Sequence, residues 1–186
     1  MSGATSSRAA WISELEPASF EGGEFCWYAI ETRHRYEKRV AQQLLRRGMQ
    51  TFVPEREEVR QWSDRKKRVS IPLFAGYVFV WMPWSRATRL RVLQTAGVIG
   101  FVTLLGRAVP VPAEQIEHLR RLLQQKVACS LHAFLKVGRR VRVRGGCLDG
   151  LEGILAECGE SNLAISIECL QRSLLVHLEG YELEFA

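Results

Sequence analysis

The chain has 186 residues, of which 47% are hydrophobic, and a formal net charge of +6. This length is enough for one or two small domains, each with a buried core. No apolar run reaches the length of a membrane helix, and the N-terminus lacks a basic region followed by an apolar run, so we expect a cytoplasmic protein with no membrane partner.

Cysteine and histidine patterns give no support for a metal site, a cofactor or catalysis. The cysteines are odd in number and too far apart for a C-x-x-C pair: Cys26, Cys129, Cys147, Cys158 and Cys169. We interpret them as small core residues in a reducing compartment. The histidines lack metal-ligand spacing: His34, His118, His132 and His177. We find no phosphate loop or nucleophile motif, so no enzyme is predicted.

The net charge is unevenly distributed along the chain. Residues 1–24 carry −3, residues 25–126 carry +11 and residues 127–186 carry −2. A central region with this much positive charge is expected to attract a polyanion or an acidic protein surface. The simpler alternative is a basic surface that is only solvated. Residues 1–24 are small, polar and acidic and predict a disordered or loosely attached tail, with Trp11, Ile12 and Leu15 as candidates for a short docking helix.

A strand is predicted over residues 26–32 and a helix over residues 35–47. Apolar residues recur at helical spacing as a buried stripe, and Gly48 provides the C-terminal stop. The stripe consists of Tyr36, Val40 and Leu44.

Basic residues cluster at the start of this helix and along another side of it. Arg33 and His34 lie in the strand-to-helix loop, and Arg35, Arg39 and Arg46 follow on the helix. Such a patch suits phosphate groups, but a basic helix face is often only solvated.

A charged hairpin is predicted after a second strand at residues 50–55. Ser63 and Asp64 are typical turn residues, and the basic run at residues 65–68 follows them. Together with Trp62, a basic hairpin tip is a plausible probe for a nucleic-acid backbone.

The next strand, Tyr77 to Met82, is apolar on both faces. Alternation places Tyr77, Phe79 and Trp81 on one face and three aliphatic side chains on the other. We therefore predict a central strand that is covered on both sides. The aromatic face, with Phe74 just before it, is a candidate interface, and ordinary core packing is the alternative.

Further elements complete a first domain over residues 25–126. Ser85 can cap a short helix that carries Leu90 and Leu93, and an apolar strand follows at residues 97–105. A last helix starts near Pro112. Its predicted buried face consists of Ile116, Leu119, Leu122 and Leu123. Alternating strands and helices predict an α/β sandwich, a sheet flanked by helices.

Residues 127–135 lack periodicity and are interpreted as a linker, and residues 136–186 predict a second domain. Five short strands separated by glycines indicate a small β-barrel, which makes the whole chain α+β. The predicted strands are residues 139–144, 151–157, 163–168, 173–178 and 181–185.

Five segments, in this order, resemble the NusG family of transcription elongation factors: WYAIETRHRYEKRV, PLFAGYVFV, TAGVIGFV, PVPAEQIEHL and VGRRVRVRGGCLDGLEGILAE. The last of them is similar to the KOW motif of that family, which implies an SH3-like five-stranded barrel. The runs RQWSDRKKRV and LQRSLLVHL look most like the specialised UpxY, LoaP and RfaH type.

The resemblance implies that the first domain binds RNA polymerase. Phe74, Tyr77 and Phe79 match the patch that contacts the clamp helices of the largest subunit; Ala75 stands where the family usually has proline. Three basic residues match the surface that faces the non-template DNA strand. They are Arg33, His34 and Arg46.

The resemblance also implies that the second domain recruits Rho or a small-subunit ribosomal protein. The matching positions are Leu148, Leu151, Cys169, Leu170 and Arg172. The alternative is that Leu151 and Leu170 fill the barrel. Val141, Val143 and Ile165 alternate with polar residues and favour a barrel over the helical pair that some members form.

The predicted function is that of a monomeric elongation and antitermination factor that suppresses pausing on particular operons. A general NusG factor that couples polymerase to Rho or the ribosome is the alternative within the family. An RNA-binding ribosomal protein with a KOW barrel is the alternative from another class. A hydrolase that uses His34 would need a nearby partner, and the sequence supplies none.

Overall fold

The computed structural model describes residues 24–61, 66–125, 129–133, 139–155, 162–167, 170, 172–178 and 181–185. The N-terminal part contains β1 (Phe25–Thr32), α1 (Glu37–Arg46), β2 (Gln50–Phe52), β3 (Glu55–Gln61), β4 (Lys66–Pro72), β5 (Tyr77–Pro83), α2 (Arg86–Leu93), β6 (Val98–Phe101), β7 (Thr103–Leu104), β8 (Arg107–Ala108), β9 (Pro110–Val111) and α3 (Ala113–Gln124). The C-terminal part contains β10 (Cys129–Ala133), β11 (Arg140–Arg144), a 3-10 turn (Gly146–Leu148), β12 (Glu152–Leu155), β13 (Asn162–Ile167), β14 (Arg172–His177) and β15 (Glu182–Phe185). Among the described residues the fold is thus mixed α/β, rich in strands and with three α-helices.

The N-terminal sheet has the order β2-β5-β1-β6, and β9 pairs with β1 as well. The predicted central position of β5 is confirmed, because β5 pairs with β1 from Phe25↔Pro83 to Glu31↔Tyr77 and with β2 on its other side. Two core clusters lie on the two faces of this sheet. One unites Val78 and Val80 with residues of α1 and α2, and the other unites Phe79 with residues of α3. The predicted covering of both faces is therefore confirmed.

Helix α1 starts later than predicted. Arg35 has a φ of 66°, in the left-handed region, so the helix begins only at Glu37. Its end is as predicted, since Gly48 has a φ of 80° and stops the helix there. Val40 and Leu44 are fully buried, which confirms two members of the predicted apolar stripe, whereas Tyr36 is half-buried and precedes the helix.

The predicted hairpin is present, with β3 and β4 paired from Glu55↔Pro72 to Gln61↔Lys66. The turn itself, including Trp62, Ser63, Asp64 and Arg65, lies outside the described residues. Lys38 of α1 connects the base of the hairpin to the domain, because its Nζ atom lies 3.0 Å from Glu55 Oε2.

Helix α2 is capped by Ser85 as predicted, since the Ser85 Oγ accepts a hydrogen bond at 3.2 Å from the backbone N–H of Thr88. Its buried residue, however, is Val92, whereas Leu90 and Leu93 are 46% and 43% exposed. The predicted strand at residues 97–105 is divided between β6 and a small β7–β8 hairpin.

The C-terminal sheet has six strands in the order β10-β14-β13-β12-β11-β15. All five predicted strands are present. The interpretation of residues 127–135 as a linker is wrong for Cys129–Ala133, which form β10 and pair with β14. The sequence of β10 carries no periodic signal of its own. Its extended form depends on hydrogen bonds to β14, whose paired residues lie from 39 positions (Ala133↔Arg172) to 47 positions (Cys129↔Val176) further along the chain.

The two parts of the chain contact each other through α3. The Arg121 Nη1 atom donates a hydrogen bond at 2.8 Å to the carbonyl oxygen of Asp149, in the loop before β12.

The described cysteines are less buried than predicted, because Cys26 and Cys129 are only partly buried and Cys147 is exposed. Cys158 and Cys169 lie outside the described residues, as does the predicted tail up to residue 23.

Candidate functional site

A rigid turn precedes β5 and connects three elements of the N-terminal part of the chain. The backbone N–H of Thr32 donates to the Gly76 carbonyl oxygen at 2.8 Å, and the backbone N–H of Gly76 donates to Glu37 Oε1 at 2.7 Å. Gly76 has a φ of 83°, which favours glycine at this position. The turn, the end of β1 and the first turn of α1 therefore form one fixed unit next to Tyr77.

The basic loop lies in the same unit. Arg33, His34 and Arg35 directly follow Thr32 and are exposed. The Arg33 backbone N–H donates to the Gly97 carbonyl oxygen at 2.8 Å, which fixes the loop to the segment before β6. Two of the predicted nucleic-acid residues, Arg33 and His34, are thus held beside the turn that leads to Tyr77.

Arg46 does not join this group. It is exposed at the C-terminal end of α1, about 13 Å along the helix axis from Glu37 at 1.5 Å per residue. Its neighbour Arg47 is anchored to the end of α2, with Nη1 2.8 Å from the Arg91 carbonyl oxygen. The predicted basic patch is therefore divided between the two ends of α1.

The predicted aromatic patch is only partly a surface. Tyr77 is half-buried, but Phe74 is 2% exposed and Phe79 is fully buried, so the prediction that both offer contact area is wrong. Phe79 is enclosed because its ring centroid lies 6.2 Å from that of Phe52 and 6.3 Å from that of Phe74. These two residues support the surface from beneath.

Other aromatic side chains on this face of the sheet remain accessible. Phe25 is 53% exposed and stacks on Trp81 with centroids 6.2 Å apart, while Phe52 and Trp81 are half-buried. We call Phe25, Phe52, Tyr77 and Trp81 the aromatic surface. The alternation of β5 already assigned Trp81 to this face, whereas Phe52 required the observed register of β2, in which it lies opposite Phe79.

Arg120 of α3 adds a cation to this surface. Its guanidinium carbon lies 5.2 Å from the ring centroid of Trp27 and 5.2 Å from that of Phe52. A guanidinium group over an aromatic face is attracted by the ring quadrupole. No sequence pattern indicated this position for Arg120, because the position depends on how α3 packs on the sheet.

The predicted partner surface of the C-terminal domain is mostly core. Leu148 and Leu151 are fully buried and Leu170 is 6% exposed, which agrees with the alternative that such leucines fill the core and leaves them little contact area for a partner. The Val143 backbone N–H donates to the Leu151 carbonyl oxygen at 2.8 Å, which draws this loop over the sheet. Arg172 is exposed, and Cys169 lies outside the described residues.

Two titratable groups of the described residues have shifted pKa values near the contact between the two parts. Burial, together with Arg121, lowers the pKa of His118, while Glu114, Glu152 and Glu117 oppose that shift. The exposed Cys147 Sγ lies 3.1 Å from the Tyr181 hydroxyl oxygen, and this hydrogen bond raises the pKa of Tyr181.

Within the described ranges, no group of three or more His, Cys, Asp or Glu side chains could hold a metal ion. None of the described helices combines the length and apolarity that a bilayer crossing requires.

Comparison with known proteins assigns the chain to a family. Residues 25–120 match the family model described as transcription termination factor nusG. The transcription termination/antitermination protein NusG of Lactococcus lactis is 28% identical over 177 residues, covering 89% of this chain and 94% of that protein. The protein of the same name from Deinococcus radiodurans is 32% identical over 166 residues, covering 76% and 87%.

A solved structure of Thermotoga maritima NusG, described as a study of domain interaction, supports the fold. It covers 86% of this chain and 97% of its own length with a TM-score of 0.52 and 23% sequence identity. The family model spans both the rigid turn and the basic loop beside it. The chain therefore belongs to the NusG family of transcription termination/antitermination factors, whose members are not enzymes.

Proposed function

We propose that this protein is an elongation and antitermination factor that binds the clamp helices of RNA polymerase, suppresses pausing and promotes processive transcription of particular operons. The observation that carries the proposal is the fixed unit formed by Thr32, Glu37 and Gly76. The hydrogen bond between Thr32 and Gly76 joins the backbone segments that carry the exposed Arg33 and the partly exposed aromatic anchor, Tyr77.

The aromatic surface supplies the polymerase contact. Aromatic side chains contribute large contact areas with few rotatable bonds. Where packing already fixes their positions, binding a partner costs less conformational entropy. Phe79 supports Phe52 from beneath, and Phe25 stacks on Trp81. We assign Tyr77 the role of central anchor and assign Phe74 and Phe79 the role of support.

The basic loop supplies the nucleic-acid contact. Arg33 and His34 are exposed next to Tyr77, so a polymerase bound at the aromatic surface brings its nucleic acid close to them. Phosphate contacts of this kind position a protein on a strand and carry no sequence information by themselves. We assign these two residues to the non-template DNA strand and Arg46 to a separate contact further along α1.

Suppression of pausing follows from binding one state of the polymerase more tightly than another. Pausing requires the clamp and the RNA:DNA register to relax. A factor that bridges the closed clamp and binds it better shifts the population away from the paused state. We propose that the protein acts in this way as a monomer in the cytoplasm.

The C-terminal sheet, which we interpret as an SH3-like KOW barrel, supports a specialised role over a general one. Among the residues of this sheet whose side-chain exposure the structure describes, no large hydrophobic side chain is exposed. An interface usually needs a buried apolar or aromatic anchor, so recruitment of Rho or a ribosomal protein would depend on polar groups such as Arg172. The names of the relatives favour the alternative, a general factor for termination and antitermination.

Polymerase binding is tested with Tyr77→Asp in the full chain. We expect this variant to lose association with core RNA polymerase while it keeps the far-UV circular dichroism of the folded protein, and its unfolding midpoint should fall only by the few degrees that a loss of about 1 kcal/mol implies. Leu105→Asp is the matched control, because Leu105 is 80% exposed in the β7–β8 hairpin and outside the aromatic surface. Full binding by Tyr77→Asp, or equal loss in both variants, would contradict the proposal.

The choice between the specialised and the general role is tested on a Rho-dependent terminator. A specialised antitermination factor decreases termination when it is added, whereas a general factor increases it. Adding Arg172→Glu to the same assay reports whether the exposed arginine of β14 takes part in recruitment.

A further inference from the structure

We propose that the acidic segment at residues 10–21 docks on the exposed face of α2 in the same molecule. This face, which we call the leucine–arginine face, consists of Arg86, Arg89, Leu90, Arg91 and Leu93. The proposal does not depend on the proposed function, since it concerns contacts within one chain.

The leucine–arginine face is unusual for a solvent-exposed helix. Leu90 and Leu93 are 46% and 43% exposed, and Val92 is the buried residue of the helix. On a helical wheel Leu90 lies at the centre of the exposed side, with Leu93 one turn away from it. Two neighbouring exposed leucines leave apolar surface in contact with water, and covering that surface is favourable.

The arginines around these leucines lack acidic neighbours. Arg86, Arg89 and Arg91 are exposed, and none of the ion pairs found among the described residues includes them. The sequence has no acidic residue between Asp64 and Glu114, so α2 lies in a purely basic stretch. A partner for this face should therefore combine apolar side chains with carboxylates.

Residues 10–21 have that combination. Trp11, Ile12 and Leu15 supply apolar side chains, and Glu14 and Glu16 lie among them. The segment up to residue 24 has a net charge of −3, opposite to the +11 of residues 25–126. Charge of opposite sign at close range favours association, most strongly at low ionic strength.

The chain leaves the N-terminal sheet at the right place for this contact. Phe25, the first residue of β1, is the cross-strand partner of Pro83, and α2 begins three residues after Pro83. The ten residues from Leu15 to Phe25 can span at most about 33 Å, and α2 is only about 12 Å long. The segment can therefore reach the whole leucine–arginine face without strain, and its attachment gives it a high effective concentration there.

Hydrogen exchange of the full-length protein tests the docking. We expect backbone amides at residues 9–17 to exchange about tenfold more slowly than in an unstructured chain. In Arg86→Glu/Arg91→Glu we expect this protection to be lost, and combining these changes with Glu14→Arg/Glu16→Arg should restore at least half of it. The helix dipole favours a glutamate at position 86, in the first turn of α2, and disfavours one at position 91, in the last turn, so far-UV circular dichroism and the unfolding midpoint check that the charge variant is folded.

The apolar half of the contact is tested with Leu90→Asp/Leu93→Asp, which should also abolish the protection. The matched control is Leu105→Asp/Arg107→Glu in the β7–β8 hairpin, where both side chains are exposed, and it should keep the protection.

Several outcomes would overturn the proposal. The first is unprotected exchange of residues 9–17 in the wild type, and the second is equal loss of protection in the control. Protection that increases over a tenfold rise in protein concentration would identify a second copy as the occupant of the face. Protection of α2 only after addition of a single-stranded oligonucleotide, with residues 9–17 unprotected throughout, would identify nucleic acid as the occupant.

Discussion

The Oε1 atom of Glu37 accepts a hydrogen bond at 2.7 Å from the backbone N–H of Gly76. Glu37 is 3% exposed, although it lies in the first turn of a helix whose other charged residues face solvent. This single bond connects α1 to the turn that leads into Tyr77. The position of the aromatic anchor relative to the basic loop therefore depends on a buried carboxylate.

We expect Glu37→Ala to lower the free energy of unfolding by about 1–3 kcal/mol, because the Gly76 N–H is left without its partner. Urea denaturation measures this change. Glu114→Ala is the control, since Glu114 also lies in the first turn of a helix but is exposed, and it should change stability by less than about 1 kcal/mol. Similar losses in both variants would show that the contact with Gly76 contributes little.

Gly97→Ala should lower the free energy of unfolding by at least about 2 kcal/mol. Gly97 has a φ of 99°, and an added Cβ would lie 2.6 Å from Cδ1 of Tyr36. Gly100→Ala in β6 is the control, since an added Cβ there meets nothing within 4 Å, and a change within about 0.5 kcal/mol is expected. Thermal unfolding of the pair measures the difference, and equal melting temperatures would refute the predicted clash.

Phe79→Ala and Tyr77→Ala should separate the core of the aromatic face from its surface. Phe79 is fully buried, so its truncation should lower the free energy of unfolding by about 3–5 kcal/mol. Tyr77 is half-buried, so its truncation should lower it by about 1 kcal/mol. Chemical denaturation of both variants checks this order, and a larger effect at Tyr77 would reverse the assigned roles.

The lowered pKa of His118 predicts a loss of stability in acid. Its unfolded-state pKa is close to the ordinary value of 6.5, and its folded-state pKa lies below that. As the pH falls below about 6.5, the unfolded chain binds the proton first, so the free energy of unfolding decreases until the folded-state pKa is passed. We expect His118→Gln to lack this term, so its stability relative to the wild type should rise between pH 7 and pH 5. A difference that stays constant over that range would contradict the burial of the imidazole as the cause.

The sequence was sufficient for the elements whose signals are local. The two-sided apolar pattern of β5 predicted a central strand, and Ser85 predicted the start of α2, because alternation and capping depend only on nearby residues. The same holds for Gly48 at the end of α1.

The parts that could not be predicted depend on contacts between distant residues. Alternation placed Tyr77 and Phe79 on the same face and could not tell the half-buried ring from the buried one, because the difference comes from Phe52 and Phe74. Similarly, Leu151 is buried because its loop folds back onto β11. Residue type indicates the candidates for a site, and only packing decides which of them a partner can reach.

The pairing of β10 with β14 limits how far the two halves of the protein can separate. Three residues lie between Gln125 and Cys129, so these two Cα atoms can be at most about 14 Å apart. Detaching β10 would free five more residues and add about 17 Å to that distance. The separation that the backbone allows between the two parts of the chain therefore depends on whether this short strand stays paired with β14 or detaches from it.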